Sequence, residues 1–275
     1  MPPAAADTPS MKTVRSVIIV AALLAAASHA EAQFAAGPST TPAENYRVEL
    51  SLIYWNPTPE LAITDGGLSA VGGAIDFVNE FGIENSHFRE FRATLTPVRK
   101  HKLRLSYVPI RYEASAFLVR TISFEGRTFA VGADASTKIK WDLWRFGYEY
   151  DIVSGSRGFV GVIGEVRYNQ IDARITSTAG SAETTTNVPV PTVGGIARGY
   201  LGPRLLLTAE FSGLSIDRED FRGSSYDLDV YGNLNLGSNI GVQIGYRSVS
   251  AEYLVDADTG ELKLKGIYFG GTIRF

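Results

Sequence analysis

Past residue 32 the chain keeps two histidines, His87 and His101. A hydrolytic site would ask one of them to take a proton from a nucleophile or from water. His87 stands beside Ser86 and near Glu84, so a base–nucleophile pair is conceivable there. Adjacent strand residues point to opposite faces, however, so Ser86 and His87 do not meet if both lie in a strand. His87 is thus a weak catalytic candidate, and no other is named. His101 lies among Arg99, Lys100 and Lys102 and reads as a solvated turn residue. Asp256-Ala257-Asp258-Thr259-Gly260-Glu261 places oxygens at alternate positions, as a calcium loop does, but lacks the further ligands. It reads as a polar hairpin tip with glycine at a positive φ. Asp217, Arg218, Glu219, Asp220 and Arg222 read as a solvated loop able to contact phosphates or divalent ions. The chain has no cysteine, which excludes thiol catalysis, disulfides and zinc–thiolate sites. No glycine-rich phosphate loop stands in a strand–helix setting, and no basic run suggests nucleic acid. No metal and no cofactor are expected.

Any such chemistry must be positioned by strands, and the last stretch shows how. From Gly266 to Phe275, Phe275, Ile273, Phe269 and Ile267 share one parity, with Gly271 between them. Arg274, Thr272, Gly270, Tyr268 and Gly266 hold the other. Strict alternation means a β-strand with two different faces. The stretch resembles the C-terminal strand of Gram-negative outer-membrane β-barrels. In that family a terminal Phe with apolar residues at alternate positions is read by the barrel-assembly machinery. The resemblance therefore implies an assembly signal at Phe275, Ile273, Phe269 and Ile267. It also implies the assembly machinery and periplasmic chaperones as partners.

The other end agrees. Met11-Lys12-Thr13-Val14-Arg15 is basic, and Val17 to Ala27 is an apolar core of about eleven residues, too short for a membrane helix. Ala30-Glu31-Ala32 is a small-x-small cleavage site. Residues 1–32 are expected to be an N-terminal extension and cleaved signal peptide, 33–45 a periplasmic linker, and 46–275 one barrel. No later run is long enough for a transmembrane helix, so a membrane-spanning chain would have to close as a barrel.

The first strand is expected from Tyr46 to Trp55, ended by Asn56-Pro57-Thr58-Pro59. An insertion follows to Ser86. Within it Ile75, Val78 and Phe81 have helical spacing and Gly82 could stop a turn, so Ile75–Ile83 is a short helix or a projecting strand. Strands two and three cover His87 to Pro97 and Lys102 onward through Tyr112. Ala114 to Ser136 is the projecting part of an external hairpin around Glu125-Gly126-Arg127, or its extended arms. Strand four, Thr137 to Asp151, slips its alternation between Leu143 and Trp144, as a β-bulge would require. Strand five is Gly158 to Ile175, and Ser177 to Asn187 is a surface loop. Strands at Val190–Tyr200, Arg204–Ile216, Ser225–Leu236 and Ile240–Tyr253 precede the last. Asp217 to Gly223 is polar loop.

Turns after even-numbered strands are short, and those after odd-numbered strands are longer or polar. The fold expected is all-β, an antiparallel transmembrane up-and-down barrel of about ten strands with short periplasmic turns and longer external loops. Eight strands result if one hairpin lies outside the membrane, and twelve if the projecting arms pair fully. Ile75–Ile83 and His101-Lys102-Leu103-Arg104-Leu105-Ser106-Tyr107 make the chain similar to small proteobacterial outer-membrane barrel proteins. That likeness implies no activity.

With apolar residues facing lipid, Glu49, Arg92, Arg104, Arg145, Glu149, Glu165, Arg167, Arg198, Glu210, Asp227, Asp229 and Arg247 face the lumen. Both signs occur in similar number. They form either a mutually paired filling, because unpaired buried charge is costly, or a narrow conduit or ligand pocket. The chain is expected to be a non-enzymatic outer-membrane barrel: structural, a narrow channel or surface-binding. The alternative is a hydrolase acting on lipid or peptide at the external lip. The barrel resemblance implies a bacterial outer-membrane location, with outer-membrane lipid and lipopolysaccharide around a monomer.

Overall fold

The computed structural model describes residues 46–64, 75–202, 204–218, 221–255 and 258–275. The expected signal segment and linker lie outside the described residues, as do Glu219, Asp220, Asp256 and Ala257.

In chain order the elements are β1 (Val48–Thr64), β2 (Ile75–Asp76), α1 (Phe77–Phe81), β3 (Phe88–Val98), β4 (His101–Phe117), β5 (Ile122–Phe124) and β6 (Arg127–Phe129). Then come β7 (Asp134–Gly155), β8 (Gly158–Ser177), β9 (Gly180–Tyr200), β10 (Leu205–Arg218), β11 (Phe221–Asn235), β12 (Ile240–Val255) and β13 (Asp258–Arg274). Ten long strands pair antiparallel in order, and β13 returns to β1 from Glu49↔Arg274 to Thr64↔Thr259. The barrel is therefore closed, with the ten strands that the alternation predicts. β2 touches β1 only at Ala62 and Ile63, and β5–β6 is a separate hairpin.

Several expected boundaries move, for one reason. In the half of the barrel near the short turns, polar side chains point inward (Ser51, Ser106, Glu149) and apolar ones outward (Leu52, Phe146, Phe269). Farther out the faces exchange character. Val108, Ile110, Ile139, Trp141 and Leu143 point inward and are buried, while Glu113, Lys138 and Lys140 point outward. The exterior there meets water rather than lipid. The slip at Leu143–Trp144 is this inversion and not a bulge: Val108↔Leu143 and Tyr107↔Trp144 are continuous in register. The irregularity in β7 lies between Asp151 and Val153 instead.

Two further corrections concern strands that run on past their expected ends. Pro57 and Pro59 do not end β1, which continues to Thr64 paired to β13. Ser177 to Asn187 is not a loop but the tip and arms of the β8–β9 hairpin, in register from Gly158↔Gly199 to Ser177↔Gly180. In both places a strand keeps one neighbour and loses the other. β3 accompanies β1 only as far as Trp55, and β10 accompanies β9 only as far as Val193. Just past each parting stands a Pro-x-Pro, Pro57/Pro59 and Pro189/Pro191. Proline lacks the N–H that a free edge would offer, which blunts that edge against pairing with another chain. The expected polar loop Asp217–Gly223 is likewise mostly strand, since Asp217 and Arg222 pair across β10 and β11. Replacing Pro189 and Pro191 by threonine restores two donors to the β9 edge. The variant is expected to associate edge to edge in detergent, seen as a larger mass by light scattering; an unchanged mass would count against the role given to these prolines.

The undecided segment Ile75–Ile83 is the short helix, entered through a two-residue strand, and not a projecting strand. Ile75 and Asp76 pair with β1, and α1 follows at once. Asp76 caps it, its Oδ1 accepting from the Val78 and Asn79 amides at 3.0 Å, while its own amide donates to Glu80 at 3.0 Å. Gly82 ends it at φ 68°, the left-handed position that glycine fills without strain. The β5–β6 hairpin turns at Glu125 and Gly126, both at positive φ, where the tip is expected, but it does not project: its apolar side chains Ile122, Phe124 and Phe129 are buried. Phe77 and Phe81 of α1 pack with Ile122, Phe124 and Phe129 inside the outer mouth of the barrel. An ion pair between Arg120 and Glu80 joins the two pieces.

Candidate functional site

The lumen beneath this apolar plug holds the charged side chains that the alternation predicts, and all twelve point inward. They lie in a paired arrangement. Nearest the plug, Arg247 grips Asp227 with Nε at 3.2 Å and Nη2 at 2.7 Å, and reaches Glu90 at 2.8 Å. Arg92 bridges Glu90 at 2.9 Å and Asp229 at 2.7 Å. Arg145 joins Glu165 at 3.0 Å to Asp227 at 3.2 Å. Arg167 binds Glu165 at 2.9 Å and donates to the hydroxyls of Ser212 and Ser225. One level down, Arg104 spans from Glu149 at 3.1 Å to Glu210 at 2.6 Å. Arg198 donates to Tyr231, and the Tyr231 hydroxyl donates to Glu210. At the short-turn end Arg274 holds Glu49 at 2.6 Å.

Many of these contacts cross the barrel rather than linking neighbours. β4 reaches β10 through Arg104–Glu210, and β7 reaches β11 through Arg145–Asp227. A barrel of about ten strands is narrow enough for long side chains to meet in the middle. Room is made by Gly245 on β12, where an added Cβ would sit 2.6 Å from the Tyr268 ring. Tyr268 uses that space to donate to Asp229 at 2.7 Å.

Sequence reasoning missed Glu90, Lys102 and Asp151, while Tyr231, Tyr268 and Arg274 share the inward parity of their strands but were left out of the network. The signal was available, since Glu90 shares parity with Arg92, and Lys102 with Arg104. Lys102 binds Glu149 at 2.8 Å and Asp151 at 3.0 Å, with its ammonium 3.5 Å from the centre of the Phe159 ring. With these added, eight carboxylates and eight cations occupy the lumen among the described residues. The balance leaves no net charge to select ions of one sign.

A cavity of about 40 Å³ remains between the two ionic levels, lined in part by Ser51, Arg104, Ser106, Glu210, Tyr231 and Gln243. The Ser106 hydroxyl and the Gln243 amide nitrogen have no protein partner. One water needs roughly 10–15 Å³, so a few waters can satisfy these groups.

The histidines are elsewhere. His87 precedes β3 and lies outside the barrel, its ring 5.1 Å from that of Tyr54. His101 is hydrogen-bonded to the Tyr148 hydroxyl at 2.5 Å and lies near Tyr150, in an aromatic girdle by the short turns. Among the described residues no cluster of three His, Asp or Glu side chains could hold a metal. Above the membrane on the outward face, a hydrogen bond from Lys138 holds the Glu113 carboxyl below its ordinary pKa.

Comparison with solved structures adds a likeness of fold. The outer-membrane protease OmpT from Escherichia coli is similar with a TM-score of 0.54 and 9% identity, over 87% of this chain and 99% of that one. The transport unit of the autotransporter AIDA-I from Escherichia coli matches at 0.42 and 7% identity, over 87% and 93%. Ail, the attachment invasion locus protein of Yersinia pestis, matches at 0.35 and 10% identity, over 82% and 98%. No known protein family and no curated protein matches the sequence. At 9% identity the likeness to the protease carries architecture and no activity. The chain is a closed ten-stranded β-barrel of the outer-membrane type.

Proposed function

We propose that this protein is a sealed, non-enzymatic barrel of the bacterial outer membrane whose task is to hold a tall β-sheet above the outer leaflet as a binding surface. The observation that carries the reading is the doubly closed lumen, with Arg104–Glu210 and its companions crossing below and the Phe77–Phe129 plug above. The sheet supplies the rest. β7, β8 and β9 have 22, 20 and 21 residues, and about 9–11 tilted residues suffice to span a bilayer. Their outward face beyond the membrane is polar and cross-linked, by an Arg174–Glu183 ion pair and by Thr185 donating to Asp172 at 2.8 Å. A hydrolase at the external lip lacks support, because His87 faces away from the lumen against Tyr54.

The test uses proteoliposomes. No fatty acid or peptide should be released from added lipid or peptide substrates, and His87→Ala should change nothing. The liposomes should not swell in disaccharide. Hydrolysis that disappears with His87→Ala would install the alternative, and rapid swelling would replace the sealed barrel with a channel.

A further inference from the structure

At the short-turn end of the barrel every exposed side-chain charge among the described residues is positive. Arg47 precedes β1, Arg99 stands in the β3–β4 turn beside the half-buried Lys100, whose ammonium reaches the Ile152 carbonyl at 3.5 Å, Arg157 lies in the β7–β8 turn and Arg204 in the β9–β10 turn. The carboxylates of this level are turned inward and bound: Glu49 by Arg274, Glu149 and Asp151 by Lys102. This one-sided rim belongs to a chain whose formal net charge is −3, so overall composition does not explain it.

The rim is also rigid. The Lys100 carbonyl accepts from the Asp151 amide at 2.9 Å, that of Arg157 from Tyr200 at 2.8 Å, and that of Arg204 from Asn235 at 2.8 Å. The Arg47 amide donates to the Phe275 carbonyl at 2.7 Å. Backbones are pinned at each place while Arg47, Arg99, Arg157 and Arg204 present their guanidinium groups outward. Between the cations stand exposed apolar residues, Val98, Ile152, Leu201 and Leu236. His101, Tyr148 and Tyr150 form the aromatic girdle just above them. Cations interleaved with exposed apolar side chains suit a boundary of charged headgroups over acyl chains, not a soluble anion.

We propose that this rim docks anionic phospholipid headgroups of the periplasm-facing leaflet. The proposal rests on the outer-membrane reading above and deepens it by naming the lipid. Each cation close to an anionic membrane surface is worth about fivefold in binding, screened by salt.

The test compares spin-labelled phosphatidylglycerol with spin-labelled phosphatidylcholine around the full barrel in phosphatidylcholine vesicles. The natural protein should prefer phosphatidylglycerol by about fivefold or more at low salt, the contribution of one cation, and lose the preference at high salt. The variant Arg99→Gln, Lys100→Asn, Arg157→Gln, Arg204→Gln should fold to the same heat-modifiable band and show a preference near one. Asparagine is chosen at Lys100 because that residue has φ 74°, which asparagine tolerates. Neutralising Lys140 and Lys265 at the other interface should leave the preference in place. An equal affinity for the two lipids, an unaffected rim variant, or loss only in the Lys140/Lys265 variant would overturn the proposal. Failure of the natural protein to float with vesicles would instead overturn the membrane reading beneath it.

Discussion

Arg247→Met is expected to lower the unfolding free energy of the barrel by about 3 kcal/mol, the lower part of the 3–5 kcal/mol range for breaking a buried ion pair. Arg247 is fully buried, and its guanidinium makes two bonds to Asp227 and one to Glu90. Removing it strands carboxylates with no water to solvate them. The loss stays at the lower end because Arg145 still reaches Asp227 at 3.2 Å and Arg92 still reaches Glu90 at 2.9 Å. Adding Asp227→Asn and Glu90→Gln should recover part of the loss, since the residual carboxylate charge is what costs. Urea unfolding in lipid vesicles, followed by fluorescence, reads it directly, with Trp55 lying 5.3 Å from the guanidinium. A change below about 1 kcal/mol, the ordinary worth of an exposed pair, would mean that the lumen is wet and the pair solvated.

Phe77→Ala with Phe81→Ala is expected to release the plug and leave the barrel standing. Both rings are fully buried in the outer mouth, and truncating a buried Phe costs about 3–5 kcal/mol. A five-residue helix held by one cap and the Arg120–Glu80 pair cannot absorb that loss. Local opening should therefore rise by at least about a hundredfold, in line with separate stabilities for separate parts of a fold. External trypsin should cut after Arg120 and Arg127 in the variant and spare them in the natural chain. The urea midpoint of the strands should move little. The variant should still not conduct, because the ionic levels lie beneath the plug. Unfolding of the whole barrel together with the plug would contradict this division.

What could be read from the sequence follows from where one environment lasts long enough to set a pattern. Inside the membrane each strand has lipid on one face and charge on the other. Two-residue alternation there places Glu49, Arg104, Asp227 and Arg247 correctly and yields ten strands. Beyond the membrane the faces exchange character at Leu143–Trp144, and a single rule of apolar-outside misreads the exchange as a bulge. Prolines mislead for a related reason. Pro57 looks like a strand terminator because a paired interior strand excludes it, yet it stands on a strand whose second neighbour has already left. The plug was hardest to see, since Phe77, Phe81, Phe124 and Phe129 come from separate short elements whose meeting no local periodicity encodes.

The central claim, a lumen closed twice over, is tested most directly by conductance. The purified, heat-modifiable protein would be inserted in planar bilayers and recorded with the Phe77→Ala/Phe81→Ala variant alongside. The expected result is no steady conductance in either, because Arg104–Glu210 and Arg145–Asp227 bridge the lumen independently of the plug. Large, stable, porin-like steps from the natural protein would contradict the account.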